Sequence, residues 1–290
     1  MKLKSWVSIV GIAVSGMIAG GSFDRANAIT TTLYDGTAGV TPDLYTPNPY
    51  LKFTSLAGGS QLASGGVTVL DTSANNSFYA GYSNYNNTLN GFINSSFPIL
   101  DNSTGYTLSL TIATNSQTNT IPNRAGFSVI VLGSDKKGIE IGFRNPNTIT
   151  SVPDIFALNN DITFTQGEQN SNLGGILNTL NTYDLTVSGN NYTLQNGSNP
   201  PLLSGTLRDY SPNAIPGTLT QVYNTANFLF LGDDTTSAGG KVEIQAITLT
   251  TNPTAVPEPS NLLGIGMAIG FGAAVKCKLA KIGRKSSKFE

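Results

Sequence analysis

This chain has no histidine, and its one cysteine is Cys277 near the C-terminus. Those two facts remove the usual Ser-His and Cys-His nucleophile pairs and any His-ligated zinc site. Gly65-Gly66 and Gly174-Gly175 lack the Lys and Ser/Thr of a phosphate loop and read as turns. Glycoside chemistry remains, because it needs only two carboxyl groups flanking the scissile bond. Glu140, in Ile139-Glu140-Ile141-Gly142-Phe143, is the best-placed carboxylate on an alternating run. Gly142 and Arg144 hold the next alternate positions, so the strand offers no second one. The expectation is a non-enzymatic domain, with Glu140 an isolated polar residue on a solvent-facing edge.

Two binding chemistries are open. Asp233-Asp234-Thr235 and Asp135 fall in inter-strand segments, and hard oxygen ligands from loops suit Ca²⁺. Asp also caps turns by accepting backbone N–H bonds, the plainer use of these residues. Between 75 and 94, Phe78, Tyr79, Tyr82, Tyr85 and Phe92 are interleaved with asparagines, among them Asn75, Asn76, Asn84, Asn86 and Asn94. Aromatic faces stack on the apolar side of a sugar ring and amides bond its hydroxyls. Tyr79, Tyr82, Tyr85 and Asn84 are the candidate glycan contacts. The alternative is that alternate aromatics are core and the asparagines are loop.

Positions 29–255 carry 14 acidic residues against 7 basic ones, a net charge of −7, while the ends of the chain are basic. With no basic stripe, nucleic-acid binding is excluded as the expected role. The composition is rich in Thr, Ser, Asn and Gly. Short alternating runs recur between Asn/Gly/Asp/Pro clusters, the pattern of an all-β sandwich.

The clearest predicted strands are 106–113, with Tyr106, Leu108, Leu110 and Ile112 on one face, and 126–132, apolar on both faces. Others are 139–143, 183–188, 192–195, 228–231 and 242–249. Two hairpins are expected, around Gly133–Gly138 and around Gly189-Asn190-Asn191. In the last strand Val242, Ile244, Ala246 and Thr248 alternate with Glu243, Gln245, Ile247 and Leu249, so parts of both faces are expected to be covered. Residues 172–180 are expected to form one or two helical turns.

The ends read as targeting segments. Lys2 and Lys4, an apolar stretch from Trp6 to Ala19 and Ala26-Asn27-Ala28 make a secretory signal peptide, residues 1–28, cut after Ala28. At the other end Val256-Pro257-Glu258-Pro259-Ser260 (linker, 253–260) precedes an apolar run in 261–275, and Lys276 opens a basic tail, 276–290. The apolar core Leu262–Val275 would make a helix of ~21 Å, shorter than the ~30 Å hydrocarbon core. It spans only with interfacial help from flanking polar and lysine side chains. The lysines place the 29–252 domain outside.

The arrangement of Val256-Pro257-Glu258-Pro259-Ser260, apolar helix and basic end resembles the PEP-CTERM sorting signal of exported Gram-negative and cyanobacterial proteins. The resemblance implies an exosortase-type processing enzyme cutting near the Pro-Glu-Pro, and a destination in the envelope or exopolysaccharide matrix. The basic residues here are spread rather than a tight Arg cluster. Residues 30–250, through GFSVIVLGSDKKGIEIGFR, YDLTVSGNNYTL and FLFLGDDTTSAGGKVEI, resemble the concanavalin-A/laminin-G sandwiches. That implies a two-sheet jelly roll, a Ca²⁺ at its rim and glycan binding. The expectation is an exported, non-enzymatic lectin-like surface protein. The alternatives are a glycan hydrolase of the same class with an atypical active site, or a passive structural or adhesive matrix protein.

Overall fold

The computed structural model describes residues 27–252, apart from 48, 87–90, 148 and 198–199. The predicted signal cleavage residue Ala26, Val256-Pro257-Glu258-Pro259-Ser260, the apolar run and the basic tail lie outside the described residues. Ala28 is exposed, and the first strand begins directly after it, at Ile29. Among the described residues there is no α-helix, and no helix long and apolar enough to cross a membrane.

The strands, in chain order, are β1 (Ile29–Asp35), β2 (Lys52–Leu56), β3 (Ser60–Ser64), β4 (Val67–Asp71), β5 (Tyr79–Ser83), β6 (Tyr85–Asn86), β7 (Gly91–Phe92), β8 (Tyr106–Asn119) and β9 (Ser128–Leu132). They continue with β10 (Lys137–Arg144), β11 (Asp154–Leu158), β12 (Gln166–Asn170), β13 (Asn181–Ser188), β14 (Asn191–Asn196), β15 (Leu203–Thr206), β16 (Arg208–Asp209), β17 (Phe228–Asp233) and β18 (Ala238–Thr251). The region expected to be helical, 172–180, keeps only a 3-10 turn, Ile176–Asn178.

Two antiparallel sheets result. The first runs β15-β14-β13-β8-β18-β4-β3, with β1 also on β18; the second runs β12-β11-β10-β9-β17-β5-β2, with β16 on β10. Alternation explains the core between them. Leu108, Leu110, Tyr183 and Leu185 of the first sheet pack with Val129, Val131, Ile139 and Ile141 of the second. Phe143 meets Tyr183 edge-on across the gap, with centroids 5.2 Å apart. Burying such rings and aliphatics drives sheet association, at roughly 25 cal/mol per Å² of apolar surface.

The mixed pattern of the last predicted strand has a specific cause. The β18–β8 register shifts between Ile244 and Ala246. One extra residue reverses which parity faces inward. Val242 and Ile244 are buried before the shift, Ile247 and Leu249 after it. Both hairpins form as expected: β9 and β10 pair from Leu132↔Gly138, and β13 and β14 close on Ser188↔Asn191. Gly189 starts that second turn at φ +61°, a left-handed conformation glycine adopts without strain.

Candidate functional site

Strands β17, β5 and β2 form one end of the second sheet, and a cleft of about 450 Å³ opens along them. Tyr79, Gly81, Ser83, Phe230, Lys52 and Thr54 line it from the strands. Tyr85 and Asn86 enter from the short hairpin beside β5. Val222 and Tyr223 enter from the 3-10 segment Leu219–Asn224, and Asp234 from the loop after β17. Gly81 keeps the floor low: a Cβ there would lie 2.5 Å from the edge of the Phe230 ring. The ring can therefore lie over β5.

Behind the Tyr223 wall sits Glu140. Its strand position turns it away from the core between the sheets, yet it is only 1% exposed. Tyr223 donates its hydroxyl proton to Glu140 Oε2. The Asp234 carboxyl lies near enough for its charge to act on Glu140. Burial, and then the Asp234 charge, push the Glu140 carboxyl well above the usual carboxylate range; the Tyr223 hydrogen bond pulls in the other direction. Burial and the same two carboxyls raise the Tyr223 hydroxyl.

The pocket holding Glu140 is built from aromatic rings. Tyr210 stacks on Tyr223 with centroids 5.2 Å apart, and Phe164 stacks on Tyr223 at 5.2 Å. Tyr210 also repairs the sheet. β10 pairs with β16 at Lys137 and Gly138 and with β11 only from Ile141 onward. In that gap the Tyr210 hydroxyl accepts from Glu140 N (3.3 Å) and donates to Leu158 O (2.6 Å). Lys136 Nζ, donating to Asn224 Oδ1 at 2.8 Å, ties the β9–β10 turn to the segment carrying Tyr223.

Several sequence expectations change here. Glu140 is not a solvent-facing edge residue. Nor is it isolated: its second carboxyl arrives from Asp234, in a loop far along the chain rather than at the next alternate position of its own strand. Of the four candidate glycan contacts, Tyr79 and Tyr85 line the cleft. Tyr82 points the other way, fully buried between the sheets, with its hydroxyl donating to Gln61 Oε1 at 2.6 Å. Asn84 is also fully buried and serves the backbone. It accepts from Leu229 N at 2.9 Å and donates to Asn227 O at 2.9 Å, fastening β5 to the start of β17. Neither can meet a ligand.

The three candidate Ca²⁺ ligands do not converge. Asp135 accepts from Lys137 N (3.0 Å) and Asn102 Nδ2 (2.7 Å), a turn cap. Asp233 turns inward and accepts from Thr72 Oγ1 at 2.6 Å, while its neighbour Asp234 faces the cleft. Burial pushes the Asp233 carboxyl up to about 9. Among the described residues no three Asp, Glu, His or Cys side chains are grouped to hold a metal. Tyr223, Phe230 and Lys52 are cleft residues that the sequence reading missed. No motif marks them; the pairing of β2 and β17 with β5 brings Lys52 and Phe230 together, and the 3-10 segment Leu219–Asn224 brings Tyr223.

The sequence matches no family model and no curated protein. The fold is similar to that of the conserved carbohydrate esterase from Shiga toxin-encoding bacteriophage phi24B, with 12% identity, 69% of this chain and 90% of that chain covered, and a TM-score of 0.42. It is similar to the VIP36 exoplasmic/lumenal domain in its Ca²⁺/Man3GlcNAc-bound form, with 14% identity, 72% and 89% covered, and a TM-score of 0.41. It is also similar to alginate lyase AlyC3 in complex with dimannuronate, with 10% identity, 65% and 75% covered, and a TM-score of 0.39.

Proposed function

We propose that this is an exported surface protein whose sandwich binds a neutral polysaccharide in the cleft along β17, β5 and β2, without cleaving it. The cleft itself carries this reading. Tyr79, Tyr85 and Phe230 supply ring faces for the apolar side of a sugar, and Ser83, Thr54, Asn86 and Asp234 supply polar groups for its hydroxyls. A mostly apolar cleft with a few convergent polar groups is the usual form of a small-ligand site. The acidic 29–255 region disfavours polyanionic glycans. Retention of the purified chain on neutral polysaccharides, lost in Tyr79→Ala/Tyr85→Ala, tests it. Equal retention of the double variant would overturn it.

A second reading, glycan hydrolysis, has one observation in its favour: Glu140 and Asp234 are a carboxyl pair beside the cleft. Their geometry argues against it. A retaining glycosidase sets its carboxyls ~5–5.5 Å apart and an inverting one ~6.5–9.5 Å, so that a sugar and its water fit between. Here Glu140 is buried and sealed behind Tyr223, whose hydroxyl bonds it, so no sugar reaches between the carboxyls. New reducing ends appearing when the chain is incubated with laminarin would reverse this choice.

The tail supports the address. Signal peptide, Pro257-Glu258-Pro259, apolar run and lysines fit export, a transient inner-membrane anchor and exosortase-type processing toward the envelope or matrix. Mass spectrometry of both termini in each cell fraction tests that. A C-terminus ending at Glu290 in the mature protein would contradict it.

A further inference from the structure

Tyr223 is a wall of the cleft that belongs to neither sheet. Its segment, Leu219–Asn224, is six residues of 3-10 helix. Such helices have poorer hydrogen-bond geometry than α-helices and seldom run beyond three or four residues. No side chain caps this one at its N-terminus. Its backbone bonds, Gln221 N to Thr218 O and Thr225 N to Val222 O, stay local. Side chains therefore fix its place over the second sheet. The Tyr223 hydroxyl donates to Glu140 Oε2, and Lys136 Nζ donates to Asn224 Oδ1 at an exposed point. Phe164 and Tyr210 each stack on the Tyr223 ring with centroids 5.2 Å away.

Glu140 is suited to be the anchor. It sits in the middle of β10, opposite Ile130 of β9, and the Tyr210 hydroxyl takes its N–H. Its side chain is buried, so no water competes for the Tyr223 bond. A carboxyl oxygen accepts such a bond in either protonation state. Tyr85, Val222 and Phe230 line the cleft and pack against the same aromatic cluster as Tyr223. The position of the Tyr223 ring thus sets the room between this wall and the floor of β17, β5 and β2.

We propose that Glu140 presets the cleft for its ligand: by accepting the Tyr223 hydroxyl it holds that ring back as a fixed wall, and without this acceptor the ring turns its hydroxyl into the cleft and blocks it. A buried hydroxyl that loses its partner is costly, whereas replacing donor and acceptor together by apolar groups is nearly neutral. The cleft is where Tyr223 meets solvent, so it is the side to which an orphaned hydroxyl turns. Glu140 is thus a positioning residue that acts through Tyr223 and touches no ligand. The fixed wall concerns the chain alone; its effect on a ligand rests on the glycan-binding reading.

The test labels the full chain with meta-fluorotyrosine and follows the ¹⁹F line of Tyr223, assigned by its loss in Tyr223→Phe, alongside laminarin binding. In the parent chain the line is expected not to shift between light and heavy water. Glu140→Leu is expected to make it solvent-sensitive and to weaken laminarin affinity by at least about tenfold. Glu140→Gln keeps an acceptor and is expected to keep the parent's line and an affinity within about threefold. Glu140→Leu/Tyr223→Phe removes donor and acceptor together and is expected to regain most of the affinity that Glu140→Leu loses. A folded Glu140→Leu that binds laminarin as the parent does overturns the proposal, as does a double variant no better than the single one. A solvent-sensitive Tyr223 line in the parent overturns it whether or not Glu140→Leu folds. If Glu140→Leu moves the ring but the parent binds neither laminarin nor other neutral glycans, the fixed wall stands and the glycan reading fails.

Discussion

The two outward faces of the sandwich use similar strands to opposite ends. On the first sheet the registers align Thr30, Thr250, Thr107, Thr186, Thr193 and Ser204 in a row across six strands. Its hydroxyls pair with each other, Thr107 with Thr186 at 3.0 Å and Thr30 with Thr250 at 2.8 Å, and stay at the solvent boundary. On the second sheet the equivalent face is roofed. Phe164, Tyr210 and Tyr223 cover Glu140, and Phe156 carries the Arg144 guanidinium 4.9 Å above its ring. A threonine face is what β-propensity and cross-strand pairing supply by default. Buried charges and a carboxyl pair cost stability unless they are fully partnered. The difference places the specialised part of the molecule on the second sheet.

Substitutions can break this contrast. The largest effect is expected at Arg144, whose Nε bonds Asp154 Oδ1 at 2.7 Å with both side chains at most 3% exposed. Arg144→Ala strands a buried carboxylate and is expected to remove about 3–5 kcal/mol in urea unfolding. A matched apolar replacement of both partners is expected to remove far less.

Next in size is a pH effect. Asp233 has its folded carboxyl held near 9 by burial, far above its unfolded value of roughly 3.9. A raised carboxyl makes the folded state the stronger proton binder. Its contribution is therefore complete below about pH 4 and is lost as pH climbs toward 9. Tm is expected to decline over that range, and Asp233→Asn is expected to reduce the slope and to stabilise the fold at pH 8 by about 1–3 kcal/mol. A flat Tm profile in the parent chain would contradict the burial argument.

Much of this layout was legible in the sequence. Alternation located the strands from Tyr106, Ile139 and Tyr183, an unbroken apolar run located the one from Gly126, and glycine and asparagine located the two hairpins. Alternation failed where a strand carries an extra residue, as at Gln245, because the inward parity reverses there without any change in residue type. The site was only half legible. Tyr79 and Tyr85 were found because they sit among asparagines, but Tyr82 and Asn84 share that composition and face the core. The Glu140–Asp234 pair was hidden because its members come from β10 and the loop after β17. A search along one strand for a second carboxylate cannot find a partner brought by sheet pairing.

Two smaller effects sharpen the contrast further. Tyr79→Ala/Tyr85→Ala is expected to weaken polysaccharide binding by tenfold or more, roughly 1.4 kcal/mol, with little change in Tm. Thr107→Val/Thr186→Val, on the opposite face, is expected to change stability by less than about 1 kcal/mol.

The most direct measurement compares those last two double variants with the parent chain on immobilised neutral polysaccharide. The account predicts that the cleft variant loses retention and the threonine-face variant keeps it. Retention lost with the threonine face, or kept when Tyr79 and Tyr85 are both alanine, would contradict it.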